Sequence, residues 1–247
     1  MVFDSRSQAG ILLGEELKRR GISPDIVFGL ARGGVVVAAE VARILESPLE
    51  TLIVRKVGAP GNPEFAVGAV AEIPKWEVSQ TSQTLRPDIV VWWNKEILRR
   101  WRLDKEWQKQ QIDDKKIEIS EYIRKIGITK NIRPPKSGNI VLVDDGAATG
   151  ISMMAALKGI QKSVKKDLTF PYGKVRSYQI IVGLPVASTE AADMLRQVAD
   201  QVVILHKDPY LGTVGIYYRQ FEQVSWEKVK KLLECVDSDT NLQMTYE

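Results

Sequence analysis

Apolar positions along the chain gather into short segments that read as strands: Asp25 to Leu30 (DIVFGL), Leu49 to Arg55, Ala66 to Glu72, Ile140 to Val143, Ser177 to Pro185 (SYQIIVGLP) and Gln201 to Leu205 (QVVIL). The run Ile140 to Val143 has no apolar–polar alternation, the pattern of a strand buried on both faces of a parallel sheet. Helical spacing occupies the intervals. Over Phe3 to Arg20, Ala9, Ile11, Leu12 and Leu17 can share a face opposite Glu15, Glu16, Lys18 and Arg19, and Gly21 ends the helix. Val35 to Leu45 is rich in Val and Ala, and Met153, Met154, Ala156, Leu157 and Ile160 follow the Ile140 run. Ser188 can cap a helix through Gln197, and Ser225 a final helix through Cys235. Alternating strands and helices with short links predict an α/β fold: a doubly wound, mainly parallel sheet with right-handed crossovers.

Two stretches break this rhythm. Val57 to Phe65 holds two Pro and two Gly and reads as a loop. From Ile73 to Arg133 the composition shifts: Trp76, a polar run from Ser79 to Thr84, then Trp92, Trp93, Trp101 and Trp107 among charges, then Ile112, Ile119, Tyr122, Ile123 and Ile126 at helical spacing. We read one or two long helices between Asn94 and Lys125, inserted between sheet strands. The tryptophans suit packing onto the body, a dimer contact, or stacking on a base. Arg133 to Gly138 is a stiff turn into the next strand. The expected organisation is one discontinuous core domain, 1–72 with 134–236, a mainly helical insertion at 73–133, and a flexible tail at 237–247.

The chain has 247 residues, enough for one large domain with an insertion. Charged residues make up 27% and hydrophobic ones 44%, a globular balance. The net charge of +4 suits an anionic substrate. Lys162, Lys165 and Lys166 form only a small basic cluster, and nucleic acid is not an expected partner. The single cysteine, Cys235, excludes an intramolecular disulfide. With no apolar run of membrane-spanning length and no signal-like start, a cytoplasmic location and no membrane partner are expected.

The chemistry concentrates in Asn139 to Ser152, NIVLVDDGAATGIS. Here an apolar strand runs into two carboxylates, Asp144 and Asp145, then into Gly146, Ala147, Ala148, Thr149, Gly150, Ile151 and Ser152 at the start of a helix. Free N–H groups and the positive helix end favour an anion. The small residues leave room for a phosphate, and Thr149 and Ser152 add hydroxyl donors. The acid pair suits two vicinal hydroxyls or a hydrated divalent cation. A ribose carrying a 5-phosphate satisfies both ends. Neither a P-loop Gly-Lys-Ser/Thr ending nor G-x-G-x-x-G is present. A second loop, Ala31-Arg32-Gly33-Gly34, offers N–H groups and a guanidinium to another anion.

VLVDDGAATG resembles the phosphoribosyl-pyrophosphate (PRPP) motif of the type I phosphoribosyltransferases. Together with GLARGG, VRKVGAPGNPE and GIYYRQFEQVS, it is similar to a group of largely uncharacterised members of that family. The resemblance implies a Mg2+-dependent pentosyltransferase that moves 5-phosphoribosyl from PRPP to a nitrogenous acceptor and releases pyrophosphate. Asp144 and Asp145 would be catalytic, and Gly146 to Ser152 would hold the 5-phosphate. Ala31 to Gly34, with Arg55 or Lys56, would hold pyrophosphate, and the Ala31–Arg32 peptide would be cis. Magnesium would be held mostly through substrate. Val57 to Phe65 would be a lid; some relatives carry a catalytic lysine there, and this stretch has none. Loops near Tyr210 and Phe221 would face the acceptor, although both residues equally suit packing of the C-terminal helix. His206 lacks an orienting partner in sequence, and Cys235 lies on an apolar helical face. A homodimer is common in the family. The other class of reading is a non-catalytic PRPP- or nucleotide-sensing regulator, or an RNA-binding protein, on the same fold.

Overall fold

The computed structural model describes residues 1–74, 87–127, 138–167 and 178–244, with backbone only for 165–167 and 237–244. Seven strands, β1 (Pro24–Ala31), β2 (Leu49–Ala59), β3 (Asn62–Glu72), β4 (Ile89–Trp93), β5 (Asn139–Val143), β6 (Gln179–Ser188) and β7 (Gln201–Asp208), form a sheet of order β4-β3-β2-β1-β5-β6-β7. The helices are α1 (Arg6–Arg19), α2 (Gly33–Ile44), α3 (Lys95–Arg100), α4 (Lys105–Ile126), α5 (Ile151–Asp167), α6 (Thr189–Arg196) and α7 (Trp226–Met244). The fold is the expected α/β class, with parallel pairing of β1 with β5, β5 with β6 and β6 with β7, and antiparallel pairing of β2 with β3 and β3 with β4.

The chain divides into two compact units: Met1–Leu52 with Pro135–Gly150 and Arg176–Glu247, and Ile53–Pro134 with Ile151–Val175. In the first unit, Val27 and Phe28 of β1 and Ile140 to Val143 of β5 are fully buried. That burial on both faces is why these strands read as unbroken apolar runs. Helices α1 and α2 approach closely where Gly10 faces Val37 and Glu40 and Gly14 faces Ile44, and Ala9, Leu13, Leu17, Val35, Val37 and Val41 are buried. Serines cap α1 and α6: Ser5 Oγ accepts from Gln8 N at 3.3 Å, and Ser188 Oγ from Ala191 N at 2.9 Å. The chain's start is tied to its later part, because Phe3 N donates to Tyr217 O at 2.8 Å and Arg219 N to Phe3 O at 2.9 Å.

In the second unit the sheet reaches further than expected. Val57 to Phe65, read as a loop, is mostly strand: β2 and β3 pair from Val54–Ala71 out to Ala59–Asn62, leaving only Pro60 and Gly61 as the turn. Pro and Gly marked that turn correctly, but the flanking residues continue the hairpin. Ile89 to Trp93 forms β4, a strand the sequence reading placed inside the insertion without identifying it. All five of its residues are half-buried, so neither alternation nor full burial marked it. Of the two insertion helices, α4 with 22 residues is the long helix expected, whereas α3 has only 6. Asn94 and Asp104 cap α3 and α4, and Gly127, at φ 67°, closes α4. Trp93 packs against Trp107 at 6.1 Å and Phe65 stacks on Trp101 at 5.6 Å, which favours the packing role for these tryptophans. The last helix runs beyond Cys235 to Met244. Trp76, the polar run 79–84, the turn residues 133–137 and the side chains of Lys165 and Lys166 lie outside the described residues.

Candidate active site

Strands β1 and β5 are parallel neighbours, with Gly29 opposite Val143. The loops that leave them therefore emerge at one carboxyl edge, where open α/β sheets bind ligands. This brings Ala31 to Gly34 beside Asp144 and Asp145, as the topology required. Asp144 Oδ1 accepts from Asp145 N at 2.9 Å, which fixes the turn after β5. Asp145 Oδ2 accepts from Arg6 Nε at 2.7 Å. The Arg6 and Asp145 side chains are 11% and 16% exposed, so solvent screens this pair less than a surface one. Arg6 Nη1 donates to Glu222 O at 2.8 Å, and the guanidinium carbon lies 3.7 Å from the Phe221 ring centre. Phe221 stacks on Tyr218 at 5.1 Å, and the Tyr218 hydroxyl donates to Asp145 O at 2.5 Å. Burial, then the Asp145 carboxylate, pushes the Tyr218 hydroxyl well above the ordinary tyrosine range.

The glycines of the β1–α2 loop are dictated by the acids. A Cβ on Gly33 would lie 2.1 Å from Asp145 Oδ2 and 3.0 Å from Arg6 Nε. A Cβ on Gly34 would lie 2.7 Å from Asp144 Oδ1 and 2.9 Å from Val143 O. Each glycine leaves room for one carboxylate, so the two loops interlock. The Ala31–Arg32 peptide is cis, as expected. Arg32 is half-buried and its guanidinium lies 5.7 Å from the Trp226 ring centre at the start of α7.

Ala147 N donates to Val186 O at 2.9 Å and Ala147 O accepts from Ser188 N at 2.9 Å, so this residue extends the sheet at β6. Ala148 is half-buried, Thr149 is exposed and Gly150 has φ 69°. Ile151 and Ser152 open α5. In the second unit Arg55 Nε donates to Glu118 Oε2 at 2.7 Å and its guanidinium lies over Tyr122 at 5.1 Å, while Lys56 is exposed. Tyr210 is 91% exposed, whereas Phe221 is held by Arg6 and Tyr218. His206 packs its ring against Tyr217, whose hydroxyl donates to Asp208. That bond, with one from Tyr210 N, holds the Asp208 carboxyl below its ordinary range.

Sequence reasoning missed Arg6, Tyr218 and Trp226. Arg6 stands in the first turn of α1 and belongs to none of the motifs, so no signal in the sequence singled it out. Tyr218 and Trp226 carried only the general signal of aromatics near a sheet edge.

Residues 8–166, well over half of the chain, match the phosphoribosyl transferase domain family, and the chain belongs to it. Proteins from two strains of Mycobacterium tuberculosis, each named "Putative phosphoribosyl transferase", are 30% identical over 239 residues, covering 96% of this chain and 48% of theirs. The chain thus spans about half the length of these curated relatives. The crystal structure of TT1426 from Thermus thermophilus is similar at 35% identity with a TM-score of 0.68, over 94% of this chain and 98% of that one. Among the described residues no helix is long and apolar enough to cross a membrane.

Proposed function

We propose that the protein transfers the 5-phosphoribosyl group from PRPP to a nitrogenous acceptor, a nucleobase or related small molecule, with release of pyrophosphate. The observation that carries this reading is the interlock of the acid pair with the Ala31 to Gly34 loop at one sheet edge. It brings two carboxylates beside a glycine loop with an arginine, and this supports a reading in which the acids meet the sugar diol and the loop meets a pyrophosphate at C1.

In this reading Asp144 and Asp145 accept hydrogen bonds from the ribose hydroxyls. Their charge also favours the oxocarbenium-like sugar that develops as the C1–oxygen bond breaks. Gly146, Ala148, Thr149, Gly150, Ile151 and Ser152 surround the 5-phosphate, and Ala147 fixes the loop to β6. Arg32, with the N–H groups of Gly33 and Gly34, receives pyrophosphate; Arg55 and Lys56 are assigned there on the family resemblance alone. Tyr210 and Phe221 stay on the acceptor side of the reading, Tyr210 as the exposed ring and Phe221 as its packed neighbour.

Magnesium fits this donor set in one manner. Carboxylate oxygens are the hard donors it takes, and Asp144 and Asp145 present them at one strand end. Among the described residues no cluster of three or more His, Cys, Asp or Glu could hold a metal, so substrate oxygens and water would supply most of its ligands. When bound, it neutralises the leaving pyrophosphate. The protein's own contribution is positioning and fixed charge.

The test is incubation of the protein with PRPP and magnesium against a panel of nucleobases and small nitrogen compounds, reading pyrophosphate release. Release that depends on one acceptor, and that disappears in Asp144→Asn with Asp145→Asn, is the expected result. PRPP binding without release for any acceptor would favour the non-catalytic sensor instead.

A further inference from the structure

We propose that Arg6 is a positioning residue for ribose recognition: it fixes the Asp145 carboxylate through Oδ2 so that Oδ1 meets the sugar diol. This inference rests on the PRPP reading above and names a residue that reading does not require.

Three observations carry it. The first is how firmly Arg6 itself is held. It is the first residue of α1, directly after the Ser5 cap, and that segment is anchored by the Phe3 bonds to Tyr217 and Arg219. Its guanidinium then meets three groups at once: Asp145 at 2.7 Å, Glu222 O at 2.8 Å and the Phe221 ring at 3.7 Å. A planar, always charged fork satisfies such a set, and an ammonium does not. The second is the direction of the pair. Arg6 takes Oδ2, and no described residue hydrogen-bonds Asp145 Oδ1. The main chain of Asp145 is held separately, its N–H by Asp144 and its carbonyl by Tyr218. The residue is thus pinned at every point except one carboxylate oxygen.

The third observation is electrostatic. Asp144 and Asp145 are adjacent carboxylates, and PRPP is a polyanion. A cation within 2.7 Å of one acid offsets both the repulsion inside the pair and the repulsion toward the ligand. Glycine at position 33 leaves the pair its space: a Cβ there would lie 2.1 Å from Asp145 Oδ2 and 3.0 Å from Arg6 Nε, so the Arg6–Asp145 contact occupies the place a side chain would take.

The experiment is calorimetric titration of PRPP with saturating magnesium into the full chain, with thermal unfolding of each variant alongside. The variants are Arg6→Gln, Arg6→Lys, Asp145→Asn and the Arg6→Gln/Asp145→Asn double. Arg6→Gln is expected to weaken PRPP binding roughly tenfold to a hundredfold, the scale of a misplaced contact group. Arg6→Lys should recover part of that loss, and the double variant should bind no more weakly than Asp145→Asn alone. A purely structural arginine would instead add its loss to that of Asp145→Asn. Additive losses would overturn the proposal, as would wild-type or tighter PRPP affinity in Arg6→Gln. Should Arg6→Gln not fold, Phe221→Leu, which loosens the guanidinium without removing it, must show a smaller loss that likewise vanishes beside Asp145→Asn. A wild-type protein that binds no PRPP refutes the underlying reading and this inference with it. Binding by wild type with no effect of Arg6 refutes this inference alone.

Discussion

Replacing Gly33 with alanine tests the interlock of the two loops at a single atom. The new Cβ would stand 2.1 Å from Asp145 Oδ2, against the 3.0 Å below which real Cβ atoms essentially never approach a neighbour. The carboxylate must therefore retreat by about 1 Å, and Arg6, 3.0 Å from the same point, restricts the way out. Overpacking of this kind costs about 1–3 kcal/mol. Part is offset, because alanine lowers the entropy of the unfolded chain and is the better helix former, worth roughly 0.5–1 kcal/mol at a compatible site. A net loss of about 1–2 kcal/mol corresponds to a fall in Tm of roughly 2–8 °C for a chain of this size. The functional loss should be somewhat larger in free energy, because a contact group misplaced by about 1 Å can cost on the order of a hundredfold. Differential scanning calorimetry and PRPP titration on one preparation give both numbers. Gly34→Ala is the contrasting variant: its Cβ meets Asp144 Cα at 2.8 Å and Val143 O at 2.9 Å, main-chain atoms that cannot swing aside, so stability should fall further. If Gly33→Ala kept both its Tm and its PRPP affinity, the interlock would be wrong.

Three further variants probe the surroundings. Tyr218→Phe leaves Asp145 O without its hydroxyl donor and should cost about 1–3 kcal/mol in chemical denaturation. Because the folded state keeps this phenol protonated above its ordinary value of 10.0, the wild type should lose stability as pH rises beyond that value. Tyr218→Phe should flatten that alkaline limb in a pH series of unfolding curves. Ser188→Ala removes a cap 6% exposed to solvent and should lower stability by about 1 kcal/mol, with amide-exchange protection lost first at the start of α6. Burial works to raise the Glu118 carboxyl, and hydrogen bonds from Lys115 and then Arg55 outweigh it, so the net shift is downward. The associated stability is present above the ordinary value of 4.5 and is lost as pH falls through the lower folded-state value. Glu118→Gln should therefore cost less than about 1 kcal/mol at neutral pH, since the pair is partly exposed, and the gap to wild type should close in acid.

Much of this was legible in the sequence because burial wrote it there. Strands β1 and β5 lie inside the sheet, so both their faces are apolar and the runs are unmistakable. The acids and glycines stand directly after those strands, and parallel pairing then obliges the two loops to share an edge. What was illegible depended on the third dimension. β4 sits at the sheet's edge with every residue half-buried, and its two tryptophans read as part of a charged helical insertion. The β2–β3 hairpin hid behind two prolines and two glycines whose turn needs only Pro60 and Gly61. Arg6 stands 139 positions before Asp145, and nothing in the spacing announces that pair. Gly33 and Gly34 were read as exposing N–H groups to an anion. Their neighbours give them a second reason to be glycine, which is to leave space for the two carboxylates.

The central claim is that the acid pair and its loop grip a phosphorylated pentose, and the most direct test is binding. Isothermal calorimetry with PRPP and magnesium should give saturable heat and a raised Tm for the wild type. Asp144→Asn with Asp145→Asn should lose both while staying folded by circular dichroism at the titration temperature, although its own Tm should fall because Arg6 loses its ion partner. No heat and no stabilisation in the wild type, or undiminished affinity in the double variant, would contradict the account.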